Sequence, residues 1–209
     1  MNDIKNIVLL SFICIILSRC TNSVTCTPNP DSSILNMTVI HQEEENWCWA
    51  ACGEMVMEKL KGGNIDQCDE ANRSLGRNDC CPLGGIPRPG ACNTPGWPQF
   101  DSYDLEADTT FCQALSWEDI KKQIDCKKTA FCWTLRYTDD TGECGDINNG
   151  TDTSGHMMVI SGYKINENGD SVVKVLDPYD SSAFFINYSQ YVCGPGYGHW
   201  NDFYNISKK

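Results

Sequence analysis

The chain has 209 residues, 41% of them hydrophobic, which is enough for one domain with a substantial core. Its formal charge of −12 at pH 7 leaves no electrostatic basis for binding nucleic acid or an anionic lipid surface. Fourteen cysteines point to disulfides rather than metal, since there is no Cys-x2-Cys pair and only three histidines are present; no metal or other cofactor is implied.

Residues 1–20 read as an export signal. Lys5 supplies a weak positive start, and residues 7–17 form an apolar run too short to span a bilayer. Leu17-Ser18-Arg19-Cys20 has the outline of a lipoprotein cleavage box that would acylate Cys20, although Arg19 stands where a small residue is usual. A lipid on Cys20 would be the chain's one route to a membrane. The expected location is therefore extracytoplasmic: secreted, periplasmic or held at the envelope. With Cys14 and Cys20 in the signal and Cys48 set aside, eleven cysteines remain. That odd number leaves at least one unpaired or bonded to another chain, and Cys52 is the expected free one. Five Asn-x-Ser/Thr sequons, at Asn36, Asn72, Asn149, Asn187 and Asn205, would matter only in a eukaryotic secretory pathway.

Residues 21–33, rich in Thr, Asn, Pro and Ser, read as an extended arm. Residues 34–40 are mildly apolar and suggest a short strand. A polar, acidic turn from Gln42 follows, and Cys48 then opens a helix over about 48–61. In that helix Cys52, Met55, Val56 and Leu60 recur at helical spacing, and Gly62-Gly63 is a stop. A cysteine in the first turn faces unpaired backbone N–H groups and the positive end of the helix dipole, both of which favour the nucleophilic thiolate. Gln42, six residues upstream, carries an amide that could join the Cys48 N–H in an oxyanion hole.

Residues 68–100 are loop-rich and hold five prolines and four cysteines, with a short helix around 69–75. They form either a wall of a substrate cleft or a stapled surface loop. Ser116-Trp117-Glu118-Asp119 reads as a capped helix start, the helix ending near Ile124. Residues 130–137 alternate as a strand, residues 138–155 form a polar loop, and residues 156–161 and 171–176 form two strands. Asn166-Glu167-Asn168-Gly169 between those two is hairpin chemistry. Residues 184–188 suggest one more strand, and the aromatic tail (Tyr197, Trp200, Phe203, Tyr204) is expected to pack against the sheet.

A cysteine nucleophile needs a base, and the base needs an orienting group. His156 begins the first strand of the hairpin and Asp177 ends the second, so the hairpin sets them side by side. His41 lies too near Gln42 to be the obvious base, and His199 is the rival.

Gln42, Cys48-Trp49-Ala50, His156 and Asp177, in that order, resemble the active-site residues of papain-like cysteine peptidases. The fuller string Asn46-Trp47-Cys48-Trp49-Ala50-Ala51-Cys52 is similar to bacterial papain-like proteases related to the bacteriocin-leader-processing peptidases and to a plant-pathogen effector protease. In those relatives an Asp-Pro, here Asp177-Pro178, follows the hairpin in place of papain's Asn. Gln67-Cys68, Ala71-Asn72-Arg73, Gly76-Arg77, Cys80-Cys81 and Gly96-Trp97-Pro98 resemble the same group.

The resemblance implies an α+β, disulfide-rich papain-like fold over residues 34–209. A lobe holding the active-site helix (about 34–115) would pack on an antiparallel sheet lobe (about 116–209). It also implies a monomeric peptidase acting on protein or peptide substrates, with Cys48 as nucleophile, His156 as base, Asp177 as its orienting acid and Gln42 as oxyanion donor. A catalytically silent disulfide-rich binding protein, or an amidase or transacylase using the same site, would be the alternatives.

Overall fold

The helix expected from Cys48 forms as α1 (Cys48–Lys61) in the computed structural model of the protein, which describes residues 26–82, 84–137 and 154–209. Its burial exceeds one face: Trp49, Ala50, Ala51, Cys52, Met55, Val56 and Met57 are all covered, so α1 is a core helix. Lys59 and Lys61 occupy its last turn, where cations suit the dipole, and Gly62 follows at φ +64°. Beside it α2 (Gln67–Leu75) ends at Gly76, whose left-handed backbone lets its N–H bond Asn72 O.

The rest of the core is an antiparallel sheet. Its strands are β1 (Ser32–Ile34), β2 (Leu105–Thr109), β3 (Phe131–Tyr137), β4 (Gly155–Ile165), β5 (Ser171–Asp177), β6 (Ser182–Asn187), β7 (Cys193–Gly194) and β8 (Tyr197–Lys208). The order is β2-β8-β3-β4-β5-β6, with β1 on β4 and β7 on β8. Helix α1 packs mainly on β4 and also touches β3. The hairpin turn forms as expected, Asn166 Oδ1 accepting from the N–H groups of Asn168 and Asp170 (2.9 Å each). Ser116 likewise caps α3 (Trp117–Lys121) by accepting from Asp119 N at 3.1 Å, and the chain continues in one π-turn, Lys122–Cys126. A short α4 (Tyr188–Val192) joins β6 to β7. Among the described residues no helix is long and apolar enough to cross a membrane.

Three expectations change. The strand foreseen over 34–40 does not form there: residues 35–40 are irregular, and the short strand β1 lies mostly in the expected arm, pairing with the far end of β4 (Ser32 opposite Lys164). The strand β2 had no forecast. The tail is itself the twelve-residue strand β8, paired on both edges with β2 and β3. Its inward polar residues disguise it. Asp202 is fully buried but accepts from Tyr191 Oη (2.5 Å) and Leu115 N (3.0 Å), and His199 Nε2 lies 3.2 Å away.

Disulfides Cys68–Cys81 and Cys80–Cys92 hold the stretch that follows α2, where the described residues form two 3-10 turns, Gly90–Cys92 and Phe100–Tyr103. Cys26–Cys126 fastens the arm to the end of the π-turn, and Cys193 is disulfide-bonded as well. Cys48, Cys52, Cys112 and Cys132 are free, so Cys52 is unpaired as expected. Such a framework fits an oxidising compartment. The expected signal and Cys20, together with Cys144, Asn149 and most of the polar 138–155 loop, lie outside the described residues.

One buried carboxyl lies under α1. Glu70 of α2 is fully buried against Gly53, where an added Cβ would stand 2.5 Å from its Oε2. Gln99 N donates to that oxygen (3.2 Å), while Oε1 has no partner among the described residues. Burial pushes Glu70 well above the usual carboxylate range, and burial pushes Glu54 up to about 7. Both folded values are raised, so the folded state holds more protons than the unfolded chain. Stability should therefore rise as pH falls from about 8 towards 5. Glu54, only partly buried, should contribute on the order of 1–2 kcal/mol of that gain. Thermal unfolding across this range should show the rise, and Glu54→Gln with Glu70→Gln should make it shallower, leaving the share that His156 contributes above about pH 6.5. A flat wild-type profile would contradict the assignment.

Candidate active site

Cys48 is the first residue of α1, and the residue before it, Trp47, provides no side-chain cap; the first turn holds no acid. No capping side chain therefore takes up the N–H groups of that turn. The turn entering the helix is tight: Trp47 N donates to Glu44 O (3.0 Å) and Ala51 N to Trp47 O (3.0 Å).

Across the cleft, β4 begins at Gly155-His156. A side chain on Gly155 would place Cβ 2.5 Å from Leu135 O and 3.2 Å from the Trp200 ring, so only glycine lets β4 start against β3 here. Val159 pairs with Leu176, which leaves Asp177 at the same sheet end as His156. His156 Nε2 and Asp177 Oδ1 are 2.7 Å apart, and Tyr179 N donates to the same oxygen at 2.9 Å, fixing the carboxylate from two sides. With Nε2 engaged, Nδ1 is the ring nitrogen left to interact with Cys48. Burial alone would lower the His156 pKa, but the hydrogen bonds and charges of Asp177 and Cys48 outweigh it and push it up to about 9. Burial opposes ionisation of Asp177 too, yet the bond and charge of His156 hold its pKa below the ordinary value.

Gln42 lines the same cleft and is buried. Its backbone N–H donates to Pro178 O (3.0 Å), which ties it to the residue after Asp177. Its side chain is less open than the sequence suggests. Nε2 donates to Glu44 O (2.9 Å) and Glu45 O (2.7 Å), committing both protons, while Oε1 is buried without a partner among the described residues. An oxyanion would receive an N–H from Gln42 only by displacing one of these carbonyls.

The structure thus brings Gln42, Cys48 and His156 to one cleft of about 430 Å³, with Asp177 bonded to His156. His199 is elsewhere, buried with Asp202 and with its Nδ1 3.2 Å from Tyr191 O. His41 is exposed. From the stapled segment, Pro95, Gly96 and Trp97 form one wall, so part of it does serve the cleft. Trp97 meets Trp200 of β8 edge-on at 5.2 Å, joining that wall to the sheet. Tyr179 at the rim was not foreseen; its ring stands 6.4 Å from that of His156, and the one hint was its place after Asp177-Pro178.

Among solved structures, the chain is similar to the cysteine protease Amb a 11, a major pollen allergen of ragweed, in its proform. The identity is 14% and the TM-score 0.53, over 87% of this chain and 60% of that one. The chain therefore spans less than two thirds of that proform. Bromelain from Ananas comosus, in complex with the E64 inhibitor, is also similar, at 14% identity and a TM-score of 0.45 over 84% of this chain and 99% of that one. The ragweed match shows a papain-like α+β fold. No curated protein matches the chain significantly. The family model of the Peptidase_C39-like family matches residues 34–206, nearly the whole described chain. By that match, which agrees with the resemblance carried by Gln42 and Cys48, the chain belongs to the Peptidase_C39-like family.

Proposed function

We propose that the protein is an extracytoplasmic cysteine peptidase that hydrolyses peptide bonds by acyl transfer at Cys48. The observation that carries this reading is the continuous chain from Asp177 through His156 to Cys48, set at the uncapped start of a buried helix and open to a cleft. Sulfur attacks the carbonyl carbon, and the developing oxyanion takes the Cys48 N–H and an N–H that Gln42 turns away from Glu45 O. His156 gives its proton to the departing amine. Water then enters, His156 accepts its proton, and the acid product leaves as the thiol is restored. Asp177 holds the imidazole throughout. Export would follow from residues 1–20, and the disulfides support it.

The test joins labelling to hydrolysis. Iodoacetamide at about pH 6 should modify Cys48 before Cys52, Cys112 or Cys132, and the labelled protein should no longer cleave unfolded casein. Labelling that spares Cys48, or casein cleavage that survives complete Cys48 labelling, would rule out the mechanism.

A further inference from the structure

The turn carrying Gln42 is held from outside by a second buried amide. Gln67 opens α2, 25 residues further along the chain, and is 1% exposed. Its Oε1 accepts from Glu43 N at 2.9 Å, and its Nε2 donates to His41 O at 2.9 Å. It therefore grips the peptide units on both sides of Gln42. The second Nε2 proton goes to Glu54 Oε2 of α1 at 2.9 Å. That bond fixes the amide's sense, because the reversed orientation would set oxygen against both the carboxylate and His41 O. Arg88 holds the next two residues, bonding Glu43 Oε2 (2.6 Å) and Glu44 Oε1 (3.0 Å) with its guanidinium over the Trp47 ring. Gln42 is thereby located by distant groups, while its own side chain is spent on the local turn.

We propose that Gln67 is a positioning residue for Gln42: by clamping His41 O and Glu43 N–H it sets where the Gln42 amide stands relative to Cys48. This rests on the acyl-transfer reading above. Gln67 touches no reacting atom. It acts on the oxyanion donor and leaves the thiol alone, so its removal should weaken transition-state binding more than ground-state binding.

The experiment is a double-mutant cycle on the full chain with a peptide amide substrate, read as kcat and KM. Gln67→Leu keeps the volume and removes both clamps. It should lower kcat by roughly 10-fold or more, leave KM within about twofold, and leave the Cys48 alkylation rate unchanged. In a Gln42→Ala background the same substitution should cost no further kcat, because the residue it positions is gone. Gln67→Glu, which keeps the acceptor for Glu43 N–H and loses the donor to His41 O, should fall between wild type and Gln67→Leu. Hydrogen exchange gives a reading independent of activity: the Glu43 amide should lose protection in Gln67→Leu while α1 keeps its own.

Equal kcat losses with and without Gln42 would show that Gln67 acts elsewhere and would overturn the proposal while sparing the peptidase reading. Unchanged exchange at Glu43 would overturn it whatever the activity. A wild-type protein inert on every peptide substrate, with the exchange pattern as expected, would overturn the peptidase reading and, with it, the catalytic sense of the clamp.

Discussion

Cys48→Ala should lower hydrolysis of an unfolded protein substrate by roughly 10⁴-fold or more, whereas Cys52→Ala should turn over near the wild-type rate. The two thiols are one helical turn apart, so proximity does not distinguish them. Their surroundings do. Cys48 stands at the uncapped end of α1 and interacts with His156. Cys52 is wholly buried; burial pushes its thiol well above the ordinary range, and Cys132 and Cys48 push it the same way. It stays neutral and serves packing, so its loss to alanine should cost about 1 kcal/mol of stability. Initial rates and urea unfolding on the two variants decide the matter. Reversed behaviour would place the nucleophile at the wrong cysteine.

Hydrolysis should fall as pH rises through about 9, where the His156 imidazolium gives up its proton and the leaving amine loses its acid. Asp177→Ala should cut turnover by roughly 10²-fold or more and move that basic limb towards the ordinary histidine range, since Asp177 supplies the largest raising influence. Stability should follow the same sign. The folded pKa of His156 exceeds its unfolded value near 6.5, so its contribution is whole below about 6.5 and is lost as pH climbs through about 9. Asp177 is lowered instead, so its contribution is present above the ordinary value of 3.8 and is lost as pH falls below it. Profiles of kcat/KM and of unfolding temperature between pH 4 and 10 test both statements. A profile in which His156→Ala is tolerated and His199→Ala is not would move the base to β8.

The parts of this molecule that could be read in advance are those written locally. Cys52, Met55, Val56 and Leu60 at helical spacing announce α1, and the Asn166 turn announces the hairpin that sets Asp177 beside His156. The strand β8 was hidden because Asn201 and Asp202 point into the core, and an aspartate reads as surface until Tyr191 and Leu115 are seen to satisfy it. The Gln42 amide lies in the cleft, but its bonds to Glu44 O and Glu45 O were not foreseen, since backbone carbonyls leave no mark on a sequence. Gln67 and Arg88 could not be foreseen either; each reaches the Gln42 turn from more than twenty residues away. Such contacts depend on how α2 and the stapled segment come to rest on α1, which no local pattern encodes.

The arm pairs Ser32 with Lys164, eight residues up β4 from His156, a separation of about 26 Å at the usual rise per residue. Cys26–Cys126 closes it there covalently. Cys20 lies six residues before Cys26, so a lipid on it would have about 20 Å of extended chain to work with. A leash of that length would be shorter than the roughly 26 Å that separates the arm from His156. A tethered molecule would present its catalytic end away from the lipid surface, to whatever polypeptide passes on the other side.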